Sequence, residues 1–442
     1  MIRRISLYCL LIVLGSSCTK HNINKPKLDS LLTSLESHNK AMGSLAISVN
    51  GDVIYSRAIG YRSLDRDEKI KSDIHTKYRI GSISKMFTAT MIFQLIEEGK
   101  LKLNDRLAAW YPELPNAQKI TIRNMLNHRS GLRNFTADPA YGEYMTLPCA
   151  EAELTAIFAS QKPDFEPDEK AEYSNTNFVL LGYIIEKITK KPYSEELNER
   201  IVSRIGLTDT YYGGKTSVKN NEAHSYAFAV NWMQFEETDM SIPGGAGAIV
   251  STPADLTKFI EALFAGKFIS KDHLNLMKTL NDNYGMAMFE TDFDGKRGYG
   301  HSGWLDGFRS TLTYFPEEKL AIAYCTNGGT YSFDSVKNAA LSIYFNKPFT
   351  YPGFKKTLLK SEVLNKYLGV YSTKQIAFKI TISKDNATLI AQGTGQPQFV
   401  LEPVAQDRFI IDELGTIFDF DISKKQFVLE NGSFEMHFTR NN

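Results

Sequence analysis

Two groups of strand-like segments bracket a long helical middle, and this arrangement constrains the fold more than any other feature of the chain. Near the start, residues 45–49 and 53–59 read as strands joined at Asn50-Gly51. Both turn residues tolerate positive φ, so the pair reads as a hairpin. Far downstream, residues 298–304, 310–315 and 320–325 read as consecutive strands, and a helix over about 334–345 follows. The region between, roughly 100–270, is mostly helix and loop, with residues 178–189 a strongly apolar helix. Leu28, Leu31, Leu32 and Leu35 recur at helical spacing ahead of the first strand. The pattern predicts an α/β (α+β) fold: one antiparallel sheet built from both ends of this region, helices on its faces, and an all-helical part beside it.

The last eighty or so residues differ in character. Residues 348–360 form a linker segment rich in Pro and aromatics. Beyond it come short alternating runs at 379–382, 388–391, 399–403, 409–411, 417–421, 426–429 and 435–438. This spacing predicts a small antiparallel β domain over 361–442. It shows no constellation of reactive side chains and reads as an accessory module.

The N-terminus carries an export pattern. Arg3 and Arg4 precede an apolar stretch over 5–14, and Gly15, Ser16 and Ser17 lead into Cys18. The apolar run is about half the roughly twenty residues that span a bilayer. Residues 1–17 therefore read as a signal peptide. The small residues before the cysteine resemble a bacterial lipoprotein signal, although Gly15 stands where a leucine is usual. The resemblance implies cleavage before Cys18, lipidation of its thiol, and an exported protein at the periplasm or cell surface, held to a bacterial membrane by that lipid. An ordinary cleaved signal is the alternative. Cys149 and Cys325 are the only cysteines of the body and read as two buried thiols, since no pairing follows from sequence.

Composition excludes some partners. With a formal net charge of +1 and no polybasic run, nothing in the chain suits nucleic acid. No His/Cys/Asp group has metal-ligand spacing and HExxH is absent, so neither a metal nor any other cofactor is implied.

Three short motifs carry chemistry. Ser82 and Lys85 are three apart at the start of an apolar helix that Gly99 ends, so they share a face. Serine becomes a nucleophile when a base takes its proton, and a desolvated lysine can be that base. Tyr173-Ser174-Asn175 offers a phenol able to pass a proton and an amide able to orient both a carbonyl and the lysine. His301-Ser302-Gly303, followed by Trp304, reads as a strand edge along which a substrate backbone can lie. The N–H groups of Ser82 and Trp304 would then face the carbonyl oxygen. Lys296-x-Gly298 competes for that slot, but Asp294-Gly295 beside it reads as a turn. Gly300-His301-Ser302-Gly303-Trp304 lacks the last glycine of an α/β-hydrolase elbow. Asp209 stands where a phosphate-binding loop ending in Gly214-Lys215-Thr216 needs glycine.

In this order and spacing the three motifs resemble the serine β-lactamase and penicillin-binding superfamily, in the branch of class C β-lactamases, DD-peptidases, D-aminopeptidases and esterases. Several phrases add to the resemblance: residues 125–132 (MLNHRSGL), 206–210, the Pro243-Gly244-Gly245-Ala246-Gly247 run leading to 251–256, and Thr326-Asn327. It covers about 28–345 and makes 28–347 a serine hydrolase domain. It implies Ser82 as acylated nucleophile, Lys85 as proton acceptor, and Tyr173 as relay to the leaving group. Asn175, His301, Ser302, Gly303 and Trp304 would bind substrate. The implied substrate is a small molecule or peptide: a D-amino-acid peptide, an ester or a β-lactam. His301 departs from the lysine usual in β-lactamases and anchors a carboxylate less well, which counts against β-lactam hydrolysis; histidine at this position resembles the carboxypeptidase, D-aminopeptidase and esterase members. A class C-type β-lactamase is the alternative, and a non-catalytic surface lipoprotein binding peptidoglycan fragments or a protein is another. Asp168 replaces a glycine of many relatives and reads as a loop variation without chemical consequence. Tyr141, Tyr144, Trp232 and Arg309 are candidate cleft-lining residues.

Overall fold

The structure is a computed structural model that describes residues 23–441, apart from 66–67, 229–230, 353, 355–358, 377, 397, 413 and 432–433. The expected signal peptide and Cys18 lie outside the described residues.

Both chain ends of the first region do enter one sheet. Helix α1 (Lys25–Ser37) precedes strands β1 (Ala41–Val49) and β2 (Asp52–Ile59), and β3 (Phe289–Phe293), β4 (Lys296–Leu305), β5 (Phe308–Phe315) and β6 (Leu320–Gly329) follow much later. The order is β3-β4-β5-β6-β1-β2, and every neighbouring pair is antiparallel. The hairpin turns at Asn50 and Gly51, with φ of 54° and 90°. Strand β1 is buried at all nine positions because both faces of the sheet are covered.

Alternation along β6 sorts the two layers. Leu320, Ile322 and Tyr324 pack with Leu28, Leu31 and Leu35 of α1 and with Val336 and Leu341 of α5 (Phe333–Tyr344). The smaller Ala321, Ala323 and Cys325 face the other way, into the larger core of the helical region. There α2 (Ser84–Glu97) and α4 (Pro253–Phe264) meet through Phe87 and Phe259, stacked 3.7 Å apart between ring centroids. Helix α2 is buried on every side from Ser84 to Leu95, which explains its all-round apolar sequence. This placement puts Lys85 out of reach of water.

Strand β3 has no counterpart in the pattern of the sequence. It is an edge strand whose Glu290 and Asp292 face solvent, so its apolar half is only three residues long. The two cysteines are both free; Cys325 is buried, but Cys149 is only half-buried rather than fully so. No helix among the described residues is long and apolar enough to cross a membrane.

The C-terminal strands close into an eight-stranded antiparallel barrel, β7 (Gly369–Ser372) to β14 (Phe434–Arg440), sealed by pairing of Tyr371 with Arg440 and Ser372 with Thr439. Seven strands match the alternating runs seen in the sequence. The eighth, β7, is short and begins at Gly369, which hides it from a pattern search. Aromatic side chains fill the interior, among them Tyr367, Phe409, Phe420 and Phe427.

Candidate active site

A short strand, Tyr78–Arg79, delivers the chain to the site by pairing with Ile249–Ser251. Gly81 then takes φ +51°. A single 3-10 turn, Gly81–Ile83, precedes the α-helix proper, so Ser82 stands just before α2 rather than within it. The reason is local crowding. A Cβ on Gly81 would sit 2.7 Å from the Trp304 nitrogen, so only glycine lets the turn press against β4.

Lys85 is fully buried and contacts three groups. Its Nζ is 2.9 Å from Ser82 Oγ, 2.7 Å from Asn175 Oδ1 and 2.8 Å from the Ala246 carbonyl. Burial holds its pKa well below the ordinary lysine value, and no carboxylate among the described residues pairs with it. A neutral amine has two N–H groups and one lone pair. Asn175 Oδ1 and the Ala246 carbonyl can only accept, so they take both hydrogens. The lone pair is left facing the Ser82 hydroxyl, the arrangement a base requires.

Tyr173 approaches the same pair from the loop just before α3 (Asn175–Thr189). Lys85 Nζ stands 4.9 Å from its ring centroid. Burial raises the phenol's pKa, so it keeps its proton at neutral pH; Ser82 is near enough to oppose that rise. No hydrogen bond of normal geometry satisfies the Tyr173 hydroxyl. Asn175 is fixed at both ends, its Nδ2 donating to Thr136 Oγ1 at 3.2 Å while its backbone N–H donates to Asn134 Oδ1 at 3.0 Å.

Strand β4 forms the opposite wall. His301 and Gly303 face the nucleophile, and Ser302 and Trp304, which alternate with them, are exposed. His301 Nδ1 meets the Ser302 carbonyl, which can only accept, so that nitrogen carries the proton. Burial first, and the nearby Lys85 second, lower the imidazole pKa to about 3, and the ring is neutral. A Cβ on Gly303 would stand 2.0 Å from the Ile80 carbonyl and 2.9 Å from the Ser82 nitrogen. Ser310 Oγ donates to the same Ile80 carbonyl at 2.7 Å. Gly303→Ala is therefore expected to push β4 off the nucleophile turn. It should lower turnover by about 100-fold, the scale of a lost oxyanion donor, and stability by about 1–3 kcal/mol. Gly214→Ala, where an added methyl meets nothing within 4 Å, should change neither; steady-state kinetics and thermal melts of both variants check this.

These walls enclose a cleft of about 430 Å³ that reaches from Ser82 and Asn175 to Trp304 and Asp306. A β-lactamase family model matches residues 30–344. The chain belongs to the β-lactamase family. It is similar to penicillin-binding protein 4* of Bacillus subtilis (strain 168), with 26% identity over 447 residues, covering 93% of this chain and 98% of that protein. Among solved structures it resembles D-amino acid amidase from Ochrobactrum anthropi SV3 in complex with D-phenylalanine. There the identity is 27% and the TM-score 0.63, over 73% of this chain and 99% of the other. The octameric penicillin-binding protein homologue from Pyrococcus abyssi shares the fold through 94% of this chain and all of its own, with a TM-score of 0.64 at 24% identity.

Within this family fold, Ser82, Lys85, Tyr173 and Asn175 come together, and Gly303 and Trp304 border them. Ser302 is exposed and makes no side-chain contact with that group. Lys296 pairs with Glu318 beyond the turn at Asp294-Gly295 and takes no part. Among the candidate lining residues, Tyr141 borders the cleft and Arg309 lies over the Trp304 ring, 4.6 Å from its centroid. Tyr144 stands behind Tyr141, and Trp232 packs on Phe228 and Gly328.

Two supporting groups escaped the sequence reading as individual residues. The Ala246 carbonyl is presented by the short Gly244–Gly247 helix, which sits so close to α3 that a Cβ on Gly182 would be 3.2 Å from the Gly245 Cα. His128 accepts the Ser174 N–H on Nδ1 at 3.2 Å and stacks on Tyr173, with ring centroids 4.5 Å apart. Asp168 also has more structure than expected. Its φ of 74° explains the glycine of many relatives, and its carboxylate holds Arg129 Nε at 2.7 Å.

Proposed function

We propose that this protein is an exported serine hydrolase that opens an amide or ester through an acyl-enzyme on Ser82. The observation that carries the reading is the lone pair of a desolvated Lys85 directed at the Ser82 hydroxyl. Lys85 takes the Ser82 proton as Oγ attacks the substrate carbonyl. The N–H groups of Ser82 and Trp304 receive the oxyanion, and Asn175 Nδ2 orients the substrate. When the tetrahedral adduct collapses, Tyr173 gives its proton to the departing nitrogen or oxygen and regains one from the Lys85 ammonium. Water then attacks the acyl carbonyl by the same proton path in reverse, freeing the acid and the serine.

The substrate class follows from His301. A neutral imidazole in the place of an ammonium lacks the charge that holds a β-lactam carboxylate. D-amino-acid amides and short esters, whose leaving groups carry no carboxylate, fit better, in keeping with the amidase likeness. D-Ala-D-Ala peptides stay in the class through the resemblance of His301 to the peptidase members. The leader pattern and Cys18 support export to the periplasm or cell surface and a lipid anchor to a bacterial membrane. A panel of a D-Ala-D-Ala peptide, a D-amino-acid amide, a short ester and a cephalosporin, run against a Ser82→Ala control, tests the reading. The amide, peptide or ester should dominate and the control should be inactive. Dominant cephalosporin turnover would overturn the substrate class.

A further inference from the structure

A second cavity, of about 240 Å³, lies between the catalytic region and the barrel. Its catalytic side is formed by Phe235, Trp304 and Arg309, and its barrel side by Phe399 and Leu414. Phe235, Trp304 and Asp306 border both this groove and the Ser82 cleft, so these three residues form a shared rim between them. That rim is unusually apolar for a surface. On it Trp304 is 67% exposed and Phe235 40%, and across the groove Leu414 is 44% exposed; exposed apolar groups gathered in one place mark binding surfaces.

The rim is also held in place. Trp304 Nε1 donates to the Asp306 carbonyl at 2.7 Å, and the Asp306 carboxylate accepts from Thr238 Oγ1 at 2.6 Å. The barrel wall is fixed across the interface by Lys40. Its buried ammonium reaches Asp412 Oδ2 at 2.7 Å and also contacts Glu402. Glu402 follows Phe399 in one barrel strand and Asp412 precedes Leu414, so the ion pairs position the segments that line the groove.

The two sides of the scissile bond can be told apart. The leaving group must face Tyr173, its proton donor, which packs against His128 and near His301. The remaining direction, past Trp304 and Asp306, leads to the groove. We infer that the barrel supplies the far wall of an acyl-side subsite, which takes an aromatic or branched apolar group carried by the acyl portion of the substrate. A cavity of about 150 Å³ already accommodates benzene, so the space suits one aromatic group. This inference rests on the acyl-enzyme reading above.

The test uses the full-length protein and two esters with one leaving group, p-nitrophenyl acetate and p-nitrophenyl 4-phenylbutyrate. Wild type should prefer the phenylbutyrate in kcat/KM by about tenfold or more, the scale of burying one aromatic group. Leu414→Trp, which fills the groove, and Phe399→Ala, which strips its wall, should each remove most of that preference. Acetate turnover should stay within about twofold in both. Equal rates for the two esters in wild type, or an unchanged preference in both variants, would overturn the subsite. Loss of acetate turnover in wild type itself would instead sink the acyl-enzyme reading.

Discussion

Lys85→Ala is expected to lower the rate of Ser82 acylation by about 10³-fold or more, the scale of losing an essential base in a coupled catalytic unit. Asn175 Oδ1, the Ala246 carbonyl and the Ser82 hydroxyl all converge on one Nζ, and among the described residues no second amine joins them. Charge state gives the effect a pH signature. Burial lowers the Lys85 pKa, so the amine is neutral above that lowered value and is charged below it. Wild-type kcat/KM should fall as pH drops through this limb, and His301, neutral down to about pH 3, should add no limb near its ordinary value. In Lys85→Ala the limb should vanish, and a small primary amine in the buffer should restore part of the rate by entering the vacated space. Stopped-flow acylation across pH checks all three. A variant that retains near wild-type rates would show that the proton leaves Ser82 by another route.

Tyr173→Phe should reduce turnover of amide substrates by about 10²- to 10⁴-fold, the range for a positioned general acid. Its ring contacts with His128 and Lys85 survive the change, and only the hydroxyl is lost. That hydroxyl is buried, with Ser82 nearby but no hydrogen bond of normal geometry, so its removal should change the melting temperature little. Esters of p-nitrophenol need no proton on their leaving oxygen and should be affected far less than amides. An equal loss for both substrate types would remove Tyr173 from the leaving-group step and leave it a structural role.

How much of this was legible beforehand depends on the range of each contact. Ser82 and Lys85 could be paired from sequence because one helical turn, whether 3-10 or α, brings residues three apart to the same face. The sheet could be anticipated because hairpin and late strands each alternate locally; the pairing of β1 with β6 follows only once both need a partner. The Ala246 carbonyl could not be foreseen, since a backbone acceptor leaves no side-chain signature beyond the small residues that let it approach. His128 stood in a recognisable phrase, but its stacking on Tyr173 depends on a packing between loops that no local pattern encodes. The Lys40 ion pairs span more than 360 positions and link one unremarkable lysine to two ordinary acids.

The most direct test of the central claim is peptide mapping by mass spectrometry after the intact protein meets a fluorophosphonate. One adduct should appear, on the peptide holding Ser82, and fragment ions should place it on that side chain rather than on Ser84. Ser82→Ala should take up none. An adduct on another serine, or equal labelling of the variant, would contradict the account.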